Sequence, residues 1–234
     1  MAERLVLHGE PLWISPYVCS SFVALREKGV PFEVVDVATF HLEHRRPEYR
    51  DPSVTAKVPA LSHGEFWLAE SSAIAEYLEE AFPPPAYPRL FPEERRARAR
   101  ARQLMAWLRS DLVALRQERP TTTMFYDRAM APLSPAGQLA ADECVRVAES
   151  LVPGAGSAFL FGSWCLADTE LAFMLHRLIL NGHDVPERVR AYATAQWDRP
   201  SLRAYVEHPR PATVPREYWE LFGGAPLVTT PAQR

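Results

Sequence analysis

The sequence predicts two halves, an α/β half followed by an all-helical one. Three observations predict this. In the first 82 residues, short β-rich runs alternate with segments of helical periodicity. The stretch PPPAYPRLFP at 83–92 holds five prolines in ten positions, too many to continue a helix, and it stiffens an extended connection. Beyond it, from residue 93 to about residue 208, the apolar residues recur at helical spacing.

The elements follow in order. Residues 5–7 form a short strand, and residues 15–28 form a helix with Val18, Phe22 and Leu25 on one face. Gly29 and then Pro31 stop it. Residues 32–37 are a second strand carrying the β-branched Val34, Val35 and Val37. Residues 38–56 are polar and read as a loop with at most one weak helix. In the helical half, residues 93–118 read as one long helix striped by Leu104, Leu108, Leu112 and Leu115. Residues 119–134 read as a loop, and residues 135–151 as a helix with Pro135 in its first turn. The strongly apolar run 167–180 is central to the second core, and helices at 186–197 and 200–206 each begin with proline. After His208 the prolines predict an irregular tail, packed back on the body through Tyr218, Trp219 and Phe222.

The most informative segment is KVPALSHGEFWLAESS at 57–72. Two apolar runs flank the turn signal His63–Gly64, so it reads as a β-hairpin. The hairpin runs directly into a helix start at Glu70, Ser71 and Ser72. A helix N-terminus offers free N–H groups and partial positive charge, which suit a carboxylate. Val58, just before Pro59, is placed to offer its backbone to an extended peptide. A peptide edge beside a carboxylate site suits a small peptide.

Bulk properties narrow the field. The chain has 234 residues, 47% hydrophobic and 24% charged, ordinary for a globular protein. A net charge of −3 gives no general attraction to nucleic acid or an anionic membrane surface. No apolar run reaches the ~18 residues of a membrane span. The N-terminus lacks the basic-then-apolar layout of a secretion signal. Three scattered cysteines, Cys19, Cys144 and Cys165, fit a reducing compartment, and a cytoplasmic location is expected.

The order β-α-β-loop-β-β-α is that of a thioredoxin-like domain. With a proline-rich linker and a helical second half, the chain resembles the cytosolic glutathione S-transferases. The residues that carry the resemblance are Ser15–Pro16–Tyr17 opening the first helix, the run Lys57–Val58–Pro59–Ala60–Leu61, the pair Glu70–Ser71, and GSWCLAD at 162–168 before the central helix. The stretches ESSAIAEYLE and ADTELAFMLHRLILNG look like a YfcF-like bacterial subgroup with an N-terminal Ser-Pro motif. The family usually has serine or threonine where Cys165 stands, so the cap of that helix is expected to lose about 1 kcal/mol, with Asp168 reaching back to a backbone N–H. The resemblance implies a thioredoxin-like glutathione-binding domain at 1–83, a linker at 84–92, a helical domain at 93–208 and a proline-rich tail at 209–234.

It also implies roles. Ser15 is the expected catalytic residue, since a hydroxyl donated to the glutathione sulfur, together with a helix N-terminus, favours the reactive thiolate. Read by itself, Ser15 is an N-cap before Pro16, and the accompanying motifs are what turn the reading to catalysis. The Val58 backbone would hold the cysteinyl part of glutathione, and Pro59 is expected in a cis peptide. Glu70 would take the ammonium and Ser71 the carboxylate of the γ-glutamyl end, and Lys57 is a candidate for the glycyl carboxylate. Tyr17, Trp107 and Asp111 are candidates for the second-substrate pocket. His41 and His44 lack a third ligand nearby, so no metal is expected. The basic run Arg95, Arg96, Arg98, Arg100 and Arg102 reads as a solvated or dimer-facing side.

The expected function is a transferase that activates glutathione as co-substrate for conjugation to a small electrophile, or for reduction of an organic hydroperoxide. A homodimer is expected, with no nucleic-acid or membrane partner. Two alternatives stand beside it: an interaction module of the same fold without catalysis, and a thiol–disulfide reductase using Cys19, one helical turn after Ser15.

Overall fold

The computed structural model describes residues 3–154 and 158–222. The first half holds strands β1 (Leu5–Gly9), β2 (Glu33–Asp36), β3 (Ala60–His63) and β4 (Phe66–Ala69), with helices α1 (Pro16–Lys28), α2 (Pro47–Ser53) and α3 (Ser71–Ala81). The strands form one sheet in the order β2-β1-β3-β4. β1 and β2 run parallel, joined through α1, and β3 is antiparallel to both β1 and β4. The hairpin register pairs Ala60 with Ala69 and His63 with Phe66.

Alternation along β1 divides the sheet faces. Leu5 and Leu7 face α1 and α3, where they pack with Val23, Leu25, Leu61, Ile74 and Leu78. His8 points the other way, stacked on Trp67 with ring centroids 4.2 Å apart and bonded to Ser62 at 3.2 Å. Burial pushes His8 down to about 4. Close packing of α1 on β1 depends on Gly9, because a Cβ there would sit 2.9 Å from Val18 Cγ1. Gly29 ends α1 in the left-handed region at φ 67°.

The helical half comprises α4 (Arg95–Ser110), α5 (Val113–Glu118), α6 (Thr122–Phe125), α7 (Pro135–Leu151), α8 (Leu166–Ile179), α9 (Glu187–Trp197), α10 (Pro200–Val206) and α11 (Arg216–Phe222). α8 is its axis, with Leu171, Leu175 and Leu178 buried and α4, α7 and α9 packed around it. The cap of α8 works without serine or threonine. Asp168 accepts from Cys165 N through Oδ2 at 2.9 Å, and its Oδ1 accepts from Leu160 N and from the Tyr192 hydroxyl, each at 2.9 Å.

Four sequence expectations change. The long helix at 93–118 is two helices, because Leu112 takes φ 57° and its N–H turns onto Asp111 Oδ1 at 2.7 Å. That bend lets Leu112 and Leu115 both bury while α5 packs on α7. The loop at 119–134 contains α6, and the loop at 38–56 contains two 3₁₀ turns, Thr39–His41 and Glu43–Arg45, as well as α2. The tail is not wholly irregular, since α11 forms and packs on the Thr39–His41 turn. Tyr218 and Trp219 are half-buried there, whereas the Phe222 side chain and residues 223–234 lie outside the described residues.

Lys28 ties α1 to the connection between the halves. Its fully buried ammonium donates to Glu79 Oε2 at 2.6 Å and to the Phe82 carbonyl at 2.8 Å. Glu79 also accepts from Leu90 N at 2.9 Å. Removing one partner of such a pair leaves an uncompensated buried charge. Lys28→Met is therefore expected to lower unfolding free energy by about 3 kcal/mol in urea denaturation, and adding Glu79→Gln should restore part of the loss.

Candidate active site

The site is built around the turn between β1 and α1. Glu10 bends back on the segment it precedes. Its carboxylate accepts the backbone N–H groups of Leu12 (2.7 Å), Ile14 (2.7 Å) and Ser15 (2.8 Å). Trp13 holds φ 52° within this turn, and its carbonyl accepts from Arg210 Nη2 at 2.8 Å. The Ser15 carbonyl accepts from the Tyr205 hydroxyl at 2.9 Å. The turn is thus clamped by a carboxylate from its own half and by Tyr205 and Arg210 from the other.

Ser15 is the N-cap of α1, in extended conformation (φ −71°, ψ 123°), and its Oγ accepts from Val18 N at 3.3 Å. Accepting one N–H leaves the hydroxyl proton available to a further acceptor. A cleft of about 410 Å³ opens in front of it, walled by Ser15, Tyr17, His44, Lys57 and Val58 from the first half and by Thr121 and Tyr218 from the second. Among the described residues, the Val58 backbone N–H and C=O have no protein partner, and the Val58–Pro59 peptide is cis. Tyr49 donates to the neighbouring Lys57 carbonyl at 2.7 Å, which holds that strand entry in place.

Electrostatics in the cleft are uneven. Burial pushes the Glu10 carboxyl up to about 7, outweighing the three N–H bonds and the Arg210 charge that favour its ionised form. Burial, with Arg45 and Lys57 nearby, lowers His44. Cys19 is 1% exposed, and burial pushes its thiol well above the ordinary range, so no thiolate is available there. Among the described residues, no group of three or more His, Cys, Asp or Glu could hold a metal ion. No described helix is long and apolar enough to cross a membrane.

The candidates from the sequence divide. Ser15, Tyr17, Lys57 and Val58 share the cleft. Glu70 and Ser71 are not among its walls but lie one step beyond the Ala60–Ala69 pair, at the N-terminus of α3. Glu70 is exposed at φ 70°, and buried Ser71 lies with Oγ 3.5 Å from Arg109 Nη2. Trp107 lines a separate groove of about 310 Å³ between α4 and α7, with Arg100, Glu143 and Arg146. Asp111 is exposed at the end of α4, its carboxylate committed to Leu112 N. Neither is among the residues that wall the Ser15 cleft. Glu10, Tyr205 and Arg210 escaped sequence reasoning. Their faint signal was an acidic residue beside Pro11, five positions before the helix-opening serine.

Comparison with known proteins agrees with this architecture. Residues 14–81 match the family model of the glutathione S-transferase N-terminal domain, and residues 94–209 match that of the C-terminal domain. A solved glutathione transferase homologue from Burkholderia gl BGR1, with bound glutathione, is 36% identical over 88% of this chain and 97% of its own, with a TM-score of 0.71. The chain belongs to the glutathione S-transferase family. Among curated relatives, maleylpyruvate isomerase of Ralstonia sp is 36% identical over 97 residues, 42% of this chain and 44% of that protein. Glutathione S-transferase 4 of Zea mays is 42% identical over 65 residues, 28% of this chain and 29% of that protein. The matches to these two curated relatives thus span less than half of their length.

The Glu10 clamp carries a pH dependence. With its carboxyl raised from 4.5 to about 7, the native protein binds a proton that the unfolded chain has released. Stability from this group is present below about pH 4.5 and is lost as pH rises through 7. The change amounts to at most about 3 kcal/mol, at 1.36 kcal/mol per pH unit. Because the buried His8 and His176, both lowered to about 4, add stability as pH rises, the decline should appear in the difference in urea unfolding free energy between the parent and Glu10→Gln from pH 4.5 to 8.

Proposed function

We propose that this protein is a glutathione transferase of the YfcF-like bacterial subgroup, with Ser15 as the activating residue. One observation carries the reading: the Ser15 hydroxyl at the start of a buried helix and the unpaired Val58 backbone share one cleft. The cysteinyl backbone of glutathione would pair with Val58 as an added strand. The thiol would then meet Ser15 Oγ–H and the positive end of α1, both of which favour thiolate. Glu70 and Ser71 would receive the γ-glutamyl end, with residues 1–83 supplying the glutathione domain. The electrophile would enter from the Tyr17 and Tyr218 side, and organic hydroperoxide is a second substrate class. Catalysis would come from positioning and thiolate stabilisation. A cytoplasmic homodimer, with α4 at its interface, completes the reading.

Thiolate absorbance in the ultraviolet during glutathione titration tests it. The bound thiol should ionise one to two pH units below free glutathione, worth about 1.4–2.7 kcal/mol. Ser15→Ala should abolish that shift while glutathione still binds. Absence of any binding would sink the reading, and an unchanged shift in Ser15→Ala would remove Ser15 from it. Cys19→Ser should leave conjugation within about twofold of the parent, since a buried, protonated thiol is no nucleophile; loss of activity there would favour the reductase reading.

A further inference from the structure

A second, much smaller cavity lies behind α1. Its volume is about 30 Å³, and Tyr17, Arg109, Arg116, Thr169, Glu170 and Arg177 contribute to its walls. Two arginine–carboxylate relationships there differ sharply. Arg109 is neutralised by Glu170, with Nη1 to Oε2 at 2.5 Å, and Ser20 donates to the same carboxylate at 2.6 Å. Arg116 and Arg177 have no carboxylate partner among the described residues. Arg177 is 4% exposed and donates through Nη1 to the Arg119 carbonyl at 2.6 Å. Arg116 donates through Nη1 to the Tyr17 hydroxyl at 3.0 Å. The Nε–H of each arginine and the Thr169 hydroxyl are buried without a hydrogen-bond partner.

Burial and the neighbouring Arg116 charge lower Arg177 to about 10, so it remains a cation at neutral pH. A buried cation is costly without an opposite charge beside it. A water molecule would accept these donors but bring no charge. The volume corresponds to one to two waters, which favours a halide over a carboxylate ligand or a sulfate. We infer that this cavity is a binding site for one small monovalent inorganic anion of halide size, held by Arg116, Arg177 and Thr169. The site abuts the main cleft through Tyr17, which lines both. Its occupancy is independent of the activity proposed above.

Thermal melting of the full-length protein tests the assignment in sodium bromide against sodium gluconate, at matched ionic strength. The midpoint should rise saturably with bromide and chloride and not with gluconate. Arg177→Met should lose the halide response, and Thr169→Val, which keeps the volume, should shift its midpoint concentration upward several-fold. Should Arg177→Met fail to fold, Thr169→Val and an anomalous bromide peak in soaked crystals carry the test. Equal responses to bromide and gluconate, or a halide response unchanged in Thr169→Val, would overturn the proposal. Stabilisation by formate or acetate without any by halide would also overturn it, assigning the arginines to a substrate carboxylate instead.

Discussion

The structure depends on the burial of α1 on every side. The sheet and α3 cover one face, and α8 and α10 of the helical half cover the other. Val18, Phe22, Val23 and Leu25 each contribute roughly 1.5–3 kcal/mol by leaving water. A helix enclosed this way shows little amphipathic contrast, and its polar residues must find partners inside. Ser20 reaches Glu170, Lys28 reaches Glu79, and Glu27 pairs with Arg199 across the halves. Because those partners come from both halves, α1 cannot shift without disturbing both cores.

That constraint makes the N-terminus of α1 a rigid wall of the cleft. Tyr205 and Arg210 grip the carbonyls of Ser15 and Trp13, and Glu10 grips the N–H groups around them. A thiolate forming near Ser15 would feel two opposing fields. The helix end attracts negative charge, and an ionised Glu10 repels it. Glu10 spends its charge on three backbone donors, and burial brings its proton affinity close to neutral pH. Protonation state and site geometry are therefore linked in one residue.

The helical half shows how charge is managed at depth. Glu170 compensates Arg109, whereas Arg116 and Arg177 stand together near Tyr17 with no described carboxylate. A buried cation such as Arg177 is compatible with packing only where an anion or hydrogen-bond acceptors share its space. Tyr17 lines both this cavity and the main cleft.

Local signals specify the architecture: β-branched runs and the His63–Gly64 turn specify the sheet, the prolines at 83–92 separate the halves, and helical periodicity specifies α7 through α10. These signals are local, set by backbone conformation and apolar spacing. Ser15, Lys57 and Val58 were legible for the same reason, as positions tied to a helix start and a strand entry. The split of α4 from α5 was not legible, because a left-handed Leu112 is stabilised by burial against α7, not by any local propensity. Glu10, Tyr205 and Arg210 were equally invisible. Residues 10 and 210 stand two hundred positions apart, and only packing brings them to the same turn. Trp107 and Asp111 stand outside the walls of the Ser15 cleft, and that placement follows from how α4 packs on α8, which no local signal reports.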